Sequence, residues 1–109
     1  MKYLYIRTNM YGRTGFGITS DLERRRNDYE GHCGYPIEFD EVYYGPDNHI
    51  EDLEDNIKKE FNEHLFTTTY KYEWINETVD PEQVKKWIQW EVENTFEGII
   101  AKSHDKLVV

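Results

Sequence analysis

Two strand-like runs close to the N-terminus, joined by a short polar loop, constrain the fold more than any other part of the sequence. Lys2–Arg7 is an alternating run rich in residues that favour strands, and Gly12–Ile18 is a second run loosened by glycines. Because Asn and Gly tolerate positive φ, the residues between the runs, Thr8–Tyr11, predict a hairpin loop. Strands joined by so short a loop pair antiparallel. An antiparallel sheet is therefore the expected starting point of the fold.

Three helices and further extended segments are predicted after this hairpin. Ser20–Glu23 matches a capping box and predicts a short helix that ends at about Tyr29, and Ile37–Tyr44 predicts a third strand. The remaining predicted elements are a long helix over about 49–65, a short extended segment over 70–75, and a helix over about 80–96 with Pro81 in its first turn. This order predicts an α+β fold in which helices flank a small antiparallel sheet of about three strands. Residues 98–109 are expected either to add an edge strand or to remain mobile.

The length and composition of the chain exclude several classes of protein. The 109 residues suffice for one core, so a single domain over residues 1–109 is expected. No apolar run approaches the ~20 residues of a membrane helix, and the N-terminus is too polar for a signal peptide. With Cys33 as its one cysteine, the chain cannot form an internal disulfide or a multi-cysteine zinc site. These exclusions predict a cytoplasmic protein with no membrane partner.

The net charge of −9 is distributed unevenly along the chain. Residues 1–30 carry six basic and four acidic side chains, residues 31–66 carry two and ten, and residues 67–109 carry five and eight. The acidic total argues against loose phosphate binding over the whole surface. The excess of arginine near the N-terminus leaves room for a small anion-binding face.

On the predicted second helix, one carboxylate falls among the apolar side chains. The helical positions that share the apolar stripe are Ile50, Leu53, Ile57, Phe61 and Leu65. Glu54 falls inside this stripe, and a bare carboxylate is costly to bury, so it has to be neutralised, paired or bound to a cation. The alternative is that Glu54 lies at the edge of the stripe and reaches water.

Tyrosine and arginine side chains share one face of the first predicted strand and one face of the first predicted helix. Tyr5 and Arg7 point the same way on the first strand, and Arg25 and Tyr29 are an i,i+4 pair on the first helix. Tyrosines on a sheet face usually serve packing, and Arg24 is expected to be solvated. The pattern alone leaves packing and chemistry open for the other residues.

In order and spacing these residues resemble the signatures of the GIY-YIG nuclease superfamily. Leu4-Tyr5 is followed ten residues later by the segment Gly15–Arg25, in which Arg25 lies eight residues after Gly17, the spacing of the family arginine. Tyr29 follows four residues further on, where a Tyr or His recurs in relatives. The second signature is similar to the Ile-Gly-x-Thr form of a phage and bacterial branch.

The resemblance extends over roughly residues 2–92. Leu53-Glu54 is similar to the Leu-Glu pair that carries the metal-binding glutamate of the superfamily, and Glu73–Ile75 resembles a Glu-Trp-aromatic motif of the same branch. Two positions depart from the pattern. Gly15 stands where the second signature has a tyrosine, and Lys58 stands where a His usually follows the glutamate by four residues.

The resemblance implies a GIY-YIG-like fold and a metal-dependent endonuclease that hydrolyses phosphodiester bonds in DNA. It implies that Glu54 holds Mg²⁺ or Mn²⁺ and that Arg25 binds the scissile phosphate. Tyr5 is then the expected general base, with Tyr29 assisting it or positioning water. The expected DNA-binding residues are Arg7, Arg13 and Arg26. The implied partner is DNA, and the implied setting includes the cytoplasm of a phage-infected host cell.

Two other functions are compatible with the sequence. One is a nuclease-like domain that binds nucleic acid or a protein without cutting, which Gly15 and the acidic charge favour. The other is a small acidic interaction or inhibitor protein of a phage, in which the acidic middle segment mimics nucleic acid. The last helix also carries the aromatic residues Trp87, Trp90 and Phe96, which predict either a self-association face, and hence a homo-oligomer, or closure of the core.

Overall fold

Three helices and a six-stranded sheet account for the regular structure in the computed structural model, which describes residues 1–68 and 73–102. The strands are β1 Lys2–Thr8, β2 Thr14–Thr19, β3 Glu41–Gly45, β4 Leu65–Thr67, β5 Glu73–Ile75 and β6 Ile100–Lys102. The helices are α1 Leu22–Cys33, α2 Asp47–Glu60 and α3 Pro81–Thr95, and a single 3₁₀ turn spans Asn62–His64. Among the described residues, no helix has the length and apolar character needed to cross a membrane.

The N-terminal hairpin forms the centre of the sheet. The strand order is β4-β5-β2-β1-β3-β6, and all neighbours pair antiparallel. The predicted hairpin and α+β class are therefore confirmed. At the hairpin loop, the Asn9 side chain accepts hydrogen bonds from the backbone N–H groups of Tyr11 and Arg13, and Gly12 has a φ of 75°. The loop thus uses the residues that favour turns.

Each face of the sheet is covered by different helices. Leu4, Ile6 and Phe16 pack with residues of α2 and α3 on one face, here called the α2 face. The opposite α1 face carries Tyr5 and Trp74, which pack with apolar residues of α1 and of the segment before β3. Successive side chains of a strand point to opposite faces, so β1 contributes to both cores. Within α2 the predicted apolar face is confirmed, because Ile50, Leu53 and Ile57 are fully buried.

The prediction of about three strands was wrong, because half of the strands are too short to leave a pattern. β4, β5 and β6 have three residues each, which is less than two periods of alternation. Residues 73–75 of the predicted extended segment are confirmed as β5, whereas 70–72 lie outside the described residues. The edge strand considered for the C-terminal segment is present as β6, and 103–109 lie outside the described residues.

Two helices differ from prediction at their ends. The carboxylate of Asp21, rather than Ser20, caps α1 by accepting a hydrogen bond from the Arg24 backbone N–H at 3.0 Å. This helix continues beyond Tyr29 and ends before Gly34, whose φ of 77° lies in the left-handed region that favours glycine. The second helix ends at Glu60 rather than near 65, because the chain turns through the 3₁₀ segment into β4.

The third strand begins at Glu41, four residues later than predicted. Ile37 and Phe39 precede it in an irregular segment and are buried in the cluster beneath α1. Because these two residues alternate with polar ones, as residues of a strand do, the sequence predicts too early a start for the strand. The start of α3 is confirmed, with the Asp80 carboxylate accepting a hydrogen bond from the Glu82 backbone N–H.

The aromatic side chains of the last helix mostly close the core. Phe96 is buried in the α2-face cluster, and Trp87 packs against that cluster and meets the Phe61 ring edge-on. Trp90 is 57% exposed. Core closure therefore accounts for two of the three rings, and self-association stays a prediction.

Gly15 lies beneath the indole ring of Trp74. The two residues are register partners on β2 and β5, and a Cβ added to Gly15 would lie 2.9 Å from the ring. The position at which the GIY-YIG pattern has a tyrosine is thus filled from the neighbouring strand. Here only glycine lets the tryptophan lie flat on the sheet.

The substitution Gly15→Ala is expected to lower the free energy of unfolding by about 1–3 kcal/mol, because the methyl group displaces a buried ring. Urea denaturation measures this effect. The matched control is Gly31→Ala, in the interior of α1, where an added Cβ has no neighbouring atom within 4 Å. That variant is expected to gain about 0.5–1 kcal/mol from helix propensity. Equal stability of Gly15→Ala and the unmodified protein would contradict the packing described.

Candidate active site

The hydroxyl group of Tyr5 is the centre of a hydrogen-bonded cluster on the α1 face. Tyr5 is buried on β1 opposite Gly17 of β2, and its ring lies against that glycine. A Cβ on Gly17 would overlap the hydroxyl group and lie 2.8 Å from Cζ of the ring. The glycine therefore creates the space that the phenol occupies.

Two side chains of α1 meet this phenol. Arg25 Nη1 donates a hydrogen bond to the Tyr5 hydroxyl at 2.9 Å, and the Tyr29 hydroxyl lies 3.1 Å from the same oxygen. The two tyrosine rings meet edge to face, with centroids 5.7 Å apart. Because Arg25 and Tyr29 are one helical turn apart, α1 presents both to the same phenol. The structure thus brings together three of the predicted catalytic residues.

Carboxylates from the other side of the sheet reach the same place. A cleft of about 110 Å³ is lined by Tyr5 and Arg25 together with Glu54 of α2 and Glu73 of β5. The cleft lies near the C-terminal end of β2. Among the described residues, β5 pairs only with Thr14–Phe16 of β2, and the two residues that follow, Gly17 and Ile18, line the cleft. The end of this pairing is where side chains from the two faces can meet.

Glu54 is partly withdrawn from water and shares a cation with Glu73. Its side chain is 18% exposed, and Lys58 Nζ lies 3.5 Å from its carboxylate and 3.0 Å from that of Glu73. Burial raises the pKa of Glu54 above its usual 4.5, with Glu73 adding to the rise and Lys58 opposing it. Of the alternatives open for Glu54, the structure shows pairing rather than full exposure to water.

The pKa of Lys58 is also raised, although burial alone would lower it. Burial acts to lower its pKa, but the hydrogen bond to Glu73 and the charges of Glu54 and Glu73 outweigh burial and raise the pKa above 10.5. The ammonium group is therefore held in its charged form. It is the cation that pairs with Glu54 and Glu73, whereas Arg25 is the cation in the lining of the cleft itself.

The oxygen atoms in the cleft suit a divalent cation with few protein ligands. Within residues 1–68 and 73–102, no group of three or more Asp, Glu, His or Cys side chains is placed to hold a metal. Mg²⁺ is nevertheless commonly bound through one or two carboxylates, with water completing its coordination. Glu54 and Glu73 supply two such groups, and the desolvation of Glu54 favours a compensating positive charge. The donor set fits Mg²⁺ or Mn²⁺.

The three arginines predicted to bind DNA lie in different surroundings. Arg7 is 4% exposed, with its guanidinium over the rings of Tyr29 and Trp74 at 4.9 and 5.2 Å. Arg13 is paired with Glu77 at 3.0 Å, near the hairpin loop. Arg26 is partly exposed on α1 and lies 4.0 Å from Glu30. None of the three lines the cleft.

Two residues of the cleft escaped assignment from the sequence. Glu73 belongs to the short Glu-Trp-Ile segment, and nothing in its local pattern shows that β5 lies beside β2. Lys58 stands four residues after Glu54, a spacing that predicts an ion pair on a helix. That spacing was the available signal for Lys58. For Glu73 the signal was the resemblance to a Glu-Trp-aromatic motif, and its place beside the cleft required the tertiary structure.

Two larger concave surfaces lie elsewhere on the described part of the protein. One adjoins the small cleft, and the other is separate from it. A polar groove of about 440 Å³ shares Ile18 and Arg25 with the cleft and is also lined by Lys2 and Arg24. A cleft of about 670 Å³ lies between β3, β6 and α3, where Gln89 and Tyr43 both donate hydrogen bonds to Glu41. Burial, followed by the hydrogen bond to Glu41, raises the pKa of Tyr43. This larger cleft contains none of the predicted catalytic residues.

Comparison with models of protein families gives a match over most of the chain. The family model described as the T5orf172 domain matches residues 2–92, which includes every residue that lines the small cleft. The chain belongs to the T5orf172 domain family. No curated protein and no solved structure matches the chain. Membership of the T5orf172 domain family is compatible with a phage-type, nuclease-like domain.

The substitution Glu54→Gln is expected to leave the free energy of unfolding at neutral pH unchanged or higher. Because the pKa of Glu54 is raised on folding, the folded protein binds this proton more tightly than the unfolded chain. Ionisation of Glu54 therefore costs stability, and the unmodified protein should lose stability relative to Glu54→Gln as the pH rises above about 4.5. Urea denaturation from pH 4 to 8 measures the difference.

The control for the change in net charge is Asp52→Asn, an exposed position on the same helix. A gain in stability of the unmodified protein relative to Glu54→Gln over this pH range would contradict the balance described for the cleft.

Proposed function

We propose that the chain is a metal-dependent endonuclease that hydrolyses phosphodiester bonds in DNA, with a site of GIY-YIG type. The observation that carries this proposal is the convergence of a phenol, a guanidinium and two carboxylates from four elements on one small cleft. The residues concerned are those that the resemblance to GIY-YIG nucleases singles out, together with Glu73. Membership of the T5orf172 domain family supports the coarser part of the proposal, a phage-type nuclease-like domain.

In this proposal Arg25 binds the scissile phosphate. The guanidinium presents five N–H donors in a planar fork that matches phosphate oxygens, and one of them points at Tyr5. Its positive charge offsets the charge that develops on the phosphoryl oxygens in the transition state. Because its hydrogen bond to the phenol holds it in place, the guanidinium needs little reorientation during the reaction.

Tyr5 is the proposed general base. With its phenol ionised, Tyr5 takes the proton of a water molecule as that water attacks phosphorus. The bond to the 3′-oxygen breaks, and the departing alkoxide is protonated by solvent. The hydrogen bond from Arg25 stabilises negative charge on the phenol oxygen of Tyr5. The Tyr29 hydroxyl lies 3.1 Å from the same oxygen and orients the phenol. Arg7 is buried, with its guanidinium stacked on the ring of Tyr29. Its proposed contribution is to hold the Tyr29 ring in position and to add positive charge near the two phenols.

Glu54, with Glu73 beside it, would hold the divalent cation. When bound, Mg²⁺ or Mn²⁺ supplies Lewis-acid stabilisation of the phosphate and of the leaving oxygen. The two carboxylates come from different elements, α2 and β5, so the fold has to be intact for both to be present. Their joint negative charge attracts a cation and would otherwise repel the phosphate.

The polar groove next to the cleft is the proposed path of the DNA backbone. It is lined by Lys2, Arg24 and Arg25 together with the carboxylates Asp21 and Asp28, and Arg26 follows Arg25 on α1. These cations come from the N-terminal third of the chain, which has a positive net charge although the whole chain is acidic. Arg13, at the hairpin loop, is proposed to contact DNA away from the cleft.

The substitution Arg25→Ala is expected to reduce Mg²⁺-dependent plasmid nicking at least about 100-fold. The reason is that the Arg25 guanidinium both binds the phosphate and holds the general base Tyr5 in place. Arg25→Lys should remain at least about tenfold reduced, since an ammonium group cannot reproduce the fork. Circular dichroism should show both variants folded. The matched control is Lys86→Ala, an exposed cation of α3, which should nick at the rate of the unmodified protein.

Nicking by Arg25→Ala within about threefold of the unmodified protein would overturn the assignment of Arg25. DNA binding by the unmodified protein without cleavage in either Mg²⁺ or Mn²⁺ would instead support the domain that binds without cutting. That alternative draws on Gly15, because its position is filled by the Trp74 ring rather than by a second phenol.

A further inference from the structure

The ammonium group of Lys58 lies between the two carboxylates of the cleft. It is 3.5 Å from Glu54, one turn earlier on the same helix, and 3.0 Å from Glu73 on β5. The lysine is the group that joins α2 to β5 at this point. It thus contacts the same two carboxylates that the proposed function gives to the metal.

Charge balance makes the two cations alternatives. The two carboxylates carry −2, which Lys58 and Arg25 together neutralise in the metal-free cleft. A divalent cation together with Lys58 and Arg25 would gather four positive charges around two negative ones in a partly desolvated cleft. Like charges gathered in such a cleft repel more strongly than they would in bulk water, because the cleft screens them less.

Lys58 is able to leave. Its side chain is 35% exposed, and its ammonium group sits at the end of a flexible four-carbon stem. The carboxylates differ in exposure, with Glu54 at 18% and Glu73 at 32%, so water can reach the side of Glu73. A short rotation of the stem would place the ammonium group in solvent while its methylene groups still cover the helix.

We propose that Lys58 is a resident cation that competes with the divalent metal for Glu54 and Glu73. It holds the metal-free cleft together by joining α2 to β5, and it has to release both carboxylates when the metal enters. The inference rests on the proposed function, because it concerns the metal assigned there. It assigns Lys58 a role in metal affinity, and the competition makes the site bind metal more weakly than its two carboxylates would alone.

The test measures Mn²⁺ binding directly, by the loss of the free Mn²⁺ signal in electron paramagnetic resonance, without any cleavage. Lys58→Met removes the charge and keeps the length of the side chain, so its dissociation constant for Mn²⁺ should be at least about fivefold lower than that of the unmodified protein. Lys58→Arg keeps the charge and should bind within about twofold of the unmodified protein. The matched control is Lys59→Met, an exposed neighbour on the same helix, which should not change the affinity.

A second measurement separates competition from a general effect on folding. In EDTA, Lys58→Met should unfold at a lower temperature than the unmodified protein, because two carboxylates lose their shared cation. Added Mn²⁺ should raise the unfolding temperature more in Lys58→Met than in the unmodified protein, since tighter binding to the folded state stabilises it more. If Lys58→Met does not fold, Lys58→Gln carries the same test.

Equal Mn²⁺ affinity in Lys58→Met and the unmodified protein would overturn the inference, as would weaker binding in the variant. Glu54→Gln distinguishes this failure from failure of the proposed function. If Glu54→Gln binds Mn²⁺ at least tenfold more weakly while Lys58→Met is unchanged, the metal site stands and the competition is refuted. If Glu54→Gln binds as tightly as the unmodified protein, the metal assignment fails and the inference fails with it.

Discussion

The hydroxyl group of Tyr5 can lie beside the cleft only because its partner on β2, Gly17, has no side chain. This contact sets the position of the phenol, and the phenol in turn receives Arg25 and meets Tyr29. A larger residue at position 17 would displace the ring and separate α1 from its hydrogen-bond partner. The absence of one side chain therefore determines the geometry of three others.

The cleft forms where a sheet with two covered faces loses a strand neighbour. Tyr5 and Arg25 reach it from the α1 face, whereas Glu54 approaches on α2, which packs on the opposite face. Elsewhere the sheet separates the two sets of side chains. At the end of the described β2–β5 pairing, side chains from the two faces meet. This arrangement withdraws Glu54 from water, which raises its pKa even though Lys58 lies beside it. A purely structural position would be more stable with an uncharged side chain.

Local sequence patterns predict the parts of this fold that depend on neighbouring residues. The hairpin, the buried stripe of α2 and the capped start of α3 follow from alternation, helical periodicity and the Asp80-Pro81 pair. The three-residue strands carry too little pattern to be recognised, which is why the sheet has twice the expected number of strands. Of the candidate site, Glu54 was recognisable as a carboxylate on an apolar stripe. Glu73, and the enclosure of Arg7 by Trp74, depend on where β5 docks, and no local pattern encodes that.

The most direct test of the cleft as a cation site is the broadening of amide signals by Mn²⁺ in an NMR spectrum of the ¹⁵N-labelled protein. Paramagnetic broadening falls steeply with distance, so the amides that disappear first locate the ion. We expect the first losses at Gly17, Glu54 and Glu73, which belong to three different elements and are close together only in this fold. Broadening centred instead on Glu41 and Glu93, which line the larger cleft beside α3, would contradict the account.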